Sequence, residues 1–389
     1  MLKKLEKKYI ILTMEKKYIV ITYGCQMNIH ESEKLCGMLE ELGYTKTDDR
    51  LKADVIVFNT CCIRQGAEDR AFGNIGALKP LKKQNKDLII AVCGCMTQQE
   101  DRVQKLKSTF PFVDIIFGTH NLYKFKEFMQ KRLETKKRVI EFCKDDKLMP
   151  EQTNMVRDDK VNAYVNIIYG CNNFCSYCIV PYVRGRERSR DFNEIVEEVK
   201  DLINKGYKTI TLLGQNVNSY GNDIKDENVN FNNLLKTLSS LDGDFSIKFM
   251  SSHPKDLSYE VIDTISENKK ISKEIHLPVQ SGSNKILKLM NRHYTIEHYM
   301  DIVNYIKKKI PDVRLTTDII VGFPGETDED FEDTVNLIKT VKYDGIFAYM
   351  YSVRTGTKAE KMENQVPFKI KNERVNKLLI LEKEIQKNI

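Results

Sequence analysis

Twice along this chain, short β-rich runs alternate with stretches of helical spacing, and that alternation restricts the fold more than any other feature. In the first series, strands are expected at Tyr18–Tyr23, Asp54–Asn59, Leu88–Cys93 and Val113–Phe117. Helices are expected at Ser32–Leu42, ending at Gly43, at Ala67–Lys83, with Pro80 a weak point near its end, and at Thr97–Lys107. In the second series, strands are expected at Ala163–Ile168, Thr209–Leu213, Ser246–Met250, Glu274–Leu277, Val313–Ile320 and Gly345–Tyr349. Between them lie helical stretches at Phe192–Asn204, Asn232–Leu241, Thr295–Lys308 and Asp328–Val341. Short apolar runs separated by helices imply βαβ units and parallel sheets covered on both faces.

The expected class is therefore α/β, in two parts. An N-terminal parallel-sheet α/β domain takes residues 15–142, and a polar, charged linker takes 143–160. A partial (βα)6 barrel with a C-terminal helix, Lys369–Lys387, takes 161–389. Six units fall short of the eight of a closed TIM barrel. Residues 1–14 read as an extension, because Glu6-Lys-Lys-Tyr-Ile10 recurs as Glu15-Lys-Lys-Tyr-Ile19 and Met14 offers an alternative start.

Composition sets the environment. At 41% hydrophobic and 30% charged, the chain can bury real cores. No apolar run approaches the ~18 residues of a membrane span, and Tyr9–Met14 is too brief for a secretory core. A cytoplasmic protein without membrane partners is expected. In that reducing setting the ten cysteines should be metal ligands, nucleophiles or core residues, not disulfides. The net charge of +7 permits a nucleic-acid partner without requiring one.

Cys171-Asn-Asn-Phe-Cys175-Ser-Tyr-Cys178 follows the first strand of the second series, where βα loops build active sites. Three thiols in eight residues suit one soft metal centre, zinc or iron–sulfur. A structural zinc or a closed 4Fe–4S cube would want a fourth ligand, and the next His is His253. Three ligands on a four-iron cube leave one iron open for a substrate or cofactor. Zinc, or three plain core cysteines, are the blander alternatives.

Cys25, Cys61 and Cys95 are far apart in sequence, yet each falls just after an expected parallel strand. Loops beyond the carboxyl ends of an open α/β sheet line one crevice. The three thiols should converge there and hold a second open-iron cluster, with Gly24, Gly94 and Asn59-Thr60 supplying tight turns. Cys93 should be buried at a strand end, Cys62 has no firm place, and Cys36 and Cys143 read as non-ligands.

The Cys171-x3-Cys175-x2-Cys178 spacing resembles the radical S-adenosylmethionine signature, and with the N-terminal trio the chain resembles the radical S-adenosylmethionine methylthiotransferase family. Tyr23-Gly-Cys-Gln-Met-Asn28, Asn59-Thr-Cys61 and Leu212-Leu-Gly-Gln-Asn-Val-Asn-Ser-Tyr-Gly221 resemble its MiaB-type tRNA branch. That resemblance implies two 4Fe–4S clusters, each on three cysteines, and S-adenosyl-L-methionine as cofactor. It implies transfer of a methylthio group to C2 of N6-isopentenyladenosine beside the anticodon of a tRNA substrate, with flavodoxin or ferredoxin as electron donor. Sister branches modify threonylcarbamoyl-adenosine in tRNA or a ribosomal-protein aspartate, and these are the alternative activities. The family normally ends in an all-β RNA-binding TRAM module, and no run of short strands follows the terminal helix before Ile389.

Further residues take expected roles from the resemblance. Gln215 and Asn216, then His276, Gln280 and Ser281 of His276-Leu-Pro-Val-Gln-Ser-Gly-Ser283, are candidates for binding the cofactor. So are Asp318 and Gly322 of Thr316-Thr-Asp-Ile-Ile-Val-Gly-Phe-Pro-Gly-Glu326. Arg184, Arg186, Arg188 and Arg190 alternate just past the cysteine loop. In an extended segment they would present four guanidiniums on one side, suited to RNA phosphate.

Overall fold

The computed structural model describes residues 15–62, 65–141 and 154–387, and the chain divides into two compact units after Asp158. The expected extension at 1–14, most of the expected linker, and Cys143 lie outside the described residues.

The first unit is built on one six-stranded sheet. Its strands are β1 (Lys16–Thr22), β2 (Tyr44–Lys46), β3 (Val55–Thr60), β4 (Ile89–Gly94), β5 (Ile115–Phe117) and β6 (Val139–Glu141). Their order is β2-β1-β3-β4-β5-β6, and every pairing is parallel. β3 and β4 are buried along their whole length, because helices cover both faces of the sheet. Four of these strands match the sequence expectation closely. β2 and β6 were not foreseen: three residues at or near a sheet edge carry too little periodicity to be read.

Two helices differ from expectation for local reasons. The first helix runs over Gln26–Glu41, starting directly after Cys25 rather than at Ser32. Its first turns bury polar residues, among them Asn28, His30 and Ser32, so the apolar spacing begins late. The stretch expected as one helix over Ala67–Lys83 is two, Gln65–Gly76 and Lys79–Gln84. Pro80 sits in the first turn of the second, where its missing N–H costs nothing and its fixed φ suits a helix start.

The second unit holds β7 (Asn162–Asn166), β8 (Ile168–Tyr169), β9 (Arg188–Ser189), β10 (Thr209–Leu213), β11 (Ser246–Phe249), β12 (Glu274–His276), β13 (Arg314–Val321) and β14 (Gly345–Met350). β7, β10 and β11 form one parallel sheet, and β12, β13 and β14 another. A parallel bridge between Ile247 and Ile271 joins them, with Ile247 N donating to Lys270 O at 2.7 Å and Ser272 N to Ile247 O at 2.9 Å. The result is a curved array of six parallel strands. Among the described residues no pairing closes β14 onto β7, so the barrel is partial, as the six-unit count anticipated.

Helices Phe192–Asn204, Phe231–Ser240, Ile296–Lys309 and Asp328–Val341 bury one apolar face each on this array. Their starts are set by side-chain caps: Asp191, Asn230, Thr295 and Thr327 each accept from backbone N–H groups of the first turn. Helix Tyr259–Glu267 was not foreseen, while helix Asn284–Leu289 starts at Ser283, whose hydroxyl accepts from Ile286 N and caps it. The terminal helix, Phe368–Gln386, docks through Leu378 and a buried Arg374–Glu326 ion pair at 2.6 Å.

Candidate active site

The excursion that carries Cys171, Cys175 and Cys178 leaves β8 and returns through β9, two short strands paired antiparallel. Its ends are tied again by Asn172 and Glu187. Asn172 N donates to Glu187 Oε1 at 3.1 Å, and Glu187 N donates to Asn172 Oδ1 at 3.3 Å. Within the loop, Cys178 N donates to Cys175 O at 2.9 Å, and Ser176 N donates to Met290 O at 2.9 Å.

All three thiols line one cavity of about 210 Å³ at the carboxyl ends of the barrel strands. Gln215, His276, Gln280 and Asp318, four of the expected cofactor-binding residues, line it too. The other three lie elsewhere in their turns. Asn216 donates from Nδ2 to Asp256 Oδ2 at 2.7 Å, Ser281 Oγ accepts from Ser283 N at 3.2 Å, and Gly322 N donates to Glu326 Oε2 at 2.6 Å. Sequence reasoning missed Asn173, Ser252, His253 and Arg292, which complete the cavity wall.

The cavity is built for a polar guest. Asn173 Nδ2, Ser252 Oγ, His253 Nε2 and Gln280 Oε1 are buried there with no hydrogen-bond partner among the described residues. Buried polar atoms are rarely left so, and four around one cavity mark hydrogen bonds reserved for a ligand. Burial, followed by the positive charges of Arg292, Lys255 and His293, holds the His253 imidazole well below its ordinary range, so it is neutral. Its Nδ1 accepts from Lys255 N at 3.2 Å, which places the ring proton on Nε2, as a donor into the cavity. His276 bonds to Thr316 Oγ1 at 2.9 Å, and its Nε2 lies 3.5 Å from Asp318 Oδ2.

Burial pushes the Cys171 thiol up to about 11 and the Cys178 thiol up to about 12. Both are protonated at neutral pH until a metal displaces the proton. Among the described residues, no group of three or more His, Cys, Asp or Glu side chains is arranged to hold a single ion. Three cysteine side chains lining one cavity together with orphaned polar groups fit an iron–sulfur cluster next to a polar cofactor.

In the first unit, Cys25, Cys61 and Cys95 follow β1, β3 and β4, three neighbours in the sheet whose ends are in register: Thr22 pairs with Asn59, and Thr60 with Gly94. Cys25 is the extended residue that begins helix Gln26–Glu41, Cys61 leaves β3, and Cys95 N donates to Thr60 O at 2.8 Å. A Cβ added at Gly24 would lie 2.9 Å from Cys61 Cβ, and one at Gly94 would lie 2.3 Å from Thr60 O. Both glycines have positive φ, +135° and +101°, so the backbone closes tightly around the thiol-bearing turns.

Beneath the trio lies a buried polar network. Thr22 Oγ1 donates to Ser32 Oγ at 2.7 Å, and Asn59 Nδ2 to Ser32 Oγ at 3.1 Å. Asn28 joins Asn59 directly at 3.1 Å. These residues hold the carboxyl ends of β1 and β3 to the first helix. Cys93 is fully buried, and Cys36 lies in its helix against Tyr18. Cys62 is buried beside Cys61.

The alternating arginines do not share one side. Arg184 ends a short helix and is buried, while Arg186 is exposed, its guanidinium 4.5 Å from the Phe174 ring centroid. Arg188 donates back to the carbonyls of Arg186 and Arg184, both at 3.1 Å. Arg190 turns inward to Asn166 O at 2.7 Å and Glu198 Oε2 at 2.8 Å. The segment is a loop closed by the β8–β9 pairing, so alternation along the sequence does not become one face.

Residues 17–118 match the uncharacterized protein family UPF0004, and residues 165–338 match the radical SAM superfamily. TsrM, a radical S-adenosylmethionine methyltransferase of Kitasatospora setae solved with cobalamin and a [4Fe-4S] cluster bound, superposes with a TM-score of 0.61. The superposition covers 89% of this chain and 74% of that one at 12% identity, a likeness of fold. Fold and site thus define a radical S-adenosylmethionine enzyme, a class that uses a 4Fe–4S cluster and S-adenosylmethionine.

A tRNA-2-methylthio-N(6)-dimethylallyladenosine synthase of Clostridium perfringens is 54% identical over 358 residues, 92% of this chain and 80% of that one. Its counterpart in Caldicellulosiruptor saccharolyticus is 54% identical over 364 residues, 94% of this chain and 77% of that one. The chain belongs to this family of radical S-adenosylmethionine tRNA methylthiotransferases. Among the described residues, no helix is long and apolar enough to cross a membrane.

Proposed function

We propose that the chain transfers a methylthio group to C2 of N6-isopentenyladenosine beside the anticodon of tRNA, giving the 2-methylthio derivative. The observation that carries this reading is identity of 54% across more than nine-tenths of the chain to synthases of that product. Cys171, Cys175 and Cys178 would hold one 4Fe–4S cluster, and Cys25, Cys61 and Cys95 a second. When bound, the first cluster would supply an electron for reductive cleavage of S-adenosylmethionine, and the second would supply sulfur. An adenine C2–H resists acid–base chemistry, so the protein leaves that step to its cofactors and provides binding, orientation and shielding.

The residues divide this work. The His253 Nε2–H and the Asn173 amide are donors for a cofactor carboxylate, and Gln280 Oε1 is an acceptor for a cofactor amine or hydroxyl. Asp318 and Gln215 face the same cavity from two other strand ends. The Asn28–Asn59 network fixes the turns that aim the N-terminal thiols. Arg186 and Arg188 are candidates for phosphate contact, which should be salt-sensitive. A flavodoxin or ferredoxin would serve as electron donor, in the cytoplasm.

The test is nucleoside mass spectrometry of tRNA from cells lacking the gene and from the same cells with it restored. Restoration should convert the isopentenyl nucleoside to its methylthio form. Unchanged isopentenyladenosine in the restored cells, with the protein expressed, overturns the assignment.

A further inference from the structure

Arg292 is buried beside a cluster cysteine, and its neighbours balance no charge. Its Nη1 lies 3.6 Å from Cys175 Sγ, Nη2 donates to Pro278 O at 2.8 Å, and Nε donates to Tyr294 Oη at 3.0 Å. The guanidinium is 5% exposed, and among the described residues no carboxylate lies within ion-pair distance of it. A buried cation without an anion is strongly unfavourable, and this one is fixed in place by neutral groups. The missing anion belongs in the cavity that Arg292 lines.

The backbone around Arg292 is shaped to put it there. Asn291 and His293, on either side of it, both have positive φ, +59° and +55°. Left-handed non-glycine residues persist where the surroundings force them, and they gather at functional sites. The same turn carries the cysteine loop: Asn291 Nδ2 donates to Asn173 O and Phe174 O, both at 3.1 Å, and Met290 O accepts from Ser176 N. The 290–292 turn therefore positions both the loop and the guanidinium against Cys175.

We infer that Arg292 is a positioning residue that supplies the counter-charge and an N–H···S hydrogen bond to the Cys175 thiolate, and so raises the reduction potential of the cluster that loop holds. This rests on the radical reading of the three thiols. A thiolate-bound cluster becomes more negative by one charge on accepting an electron from a low-potential one-electron donor, and an adjacent fixed cation and sulfur hydrogen bond favour that state. The planar fork matters as well as the charge, since two of its nitrogens are anchored on Pro278 and Tyr294 while the third meets sulfur.

The experiment uses the full chain with Cys25, Cys61 and Cys95 changed to Ala, so that one cluster remains. It is titrated with dithionite and followed by electron paramagnetic resonance, in the parent and in Arg292→Gln and Arg292→Lys. Arg292→Gln should lower the reduction equilibrium about tenfold, a shift of about 59 mV to more negative potential, with Arg292→Lys between it and the parent. An intact cluster signal with an unmoved potential overturns the role of Arg292 alone. No 4Fe–4S signal in the parent overturns the radical reading itself.

Thermal unfolding of Arg292→Met adds a readout that does not depend on titrating the variant. A counter-charge role predicts that the metal-free form is not lowered in Tm while the loaded form is. An equal fall in both forms marks a merely structural residue and contradicts the inference.

Discussion

Asn28 and Asn59 are bonded in both directions: Asn28 Nδ2 donates to Asn59 Oδ1 at 3.1 Å, and Asn59 Nδ2 donates to Asn28 O at 2.9 Å. Both are fully buried, directly under the turns that carry Cys25 and Cys61. Asn59→Leu would leave the Asn28 amide only its longer bond to Thr60 O at 3.4 Å, would leave Asn28 O without the Asn59 donor, and would remove one bond to Ser32. The expected cost is about 1–3 kcal/mol, because buried polar groups are left unpaired. Denaturant unfolding of the metal-free protein should show that loss, and iron bound by the N-terminal trio should fall while iron at Cys171, Cys175 and Cys178 is retained.

Gly94 allows a sharper contrast. Its φ of +101° is strained for any side chain, and a Cβ would strike the carbonyl of Thr60, the last residue of β3. Gly94→Ala should lose stability by more than about 1 kcal/mol. Gly73→Ala, in an exposed helical position with open space around it, should gain about 0.5–1 kcal/mol. Equal effects in a chemical melt would contradict the backbone account of Gly94.

His253 sets a pH dependence. Its imidazole is held below the ordinary value of 6.5 by burial and neighbouring cations, so the folded state keeps it neutral while the unfolded chain protonates it. Below pH ~6.5 the unfolded state then binds one more proton than the folded state. Stability should fall with acidification by about 1.4 kcal/mol per pH unit from this group. Urea unfolding of the metal-free protein at several pH values checks this, and His253→Gln should remove that component of the slope.

Much of this was legible in the sequence, and the exceptions have physical reasons. The strands before Cys25, Cys61 and Cys95 are six or seven residues long and bounded by turn residues, so the fold class and the placement of those thiols after strands could be read. Three-residue strands such as Tyr44–Lys46 carry too little pattern. Arg292 and His253 come from turns, and only the tertiary fold of the partial barrel brings them to the cavity. The arginine alternation misled because the β8–β9 closure makes a loop of the segment and because Glu198 draws Arg190 inward.

The central claim is two separate three-cysteine centres, and it is tested most directly by counting iron and sulfide anaerobically. The counts compare the reconstituted parent with two triple variants, Cys25/Cys61/Cys95→Ala and Cys171/Cys175/Cys178→Ala. Each variant should keep about half the parent's iron, with a 4Fe–4S signal in both. Only the first should still produce 5′-deoxyadenosine from S-adenosylmethionine and dithionite. Loss of all iron in either variant, or a parent with the iron of a single centre, would contradict the account.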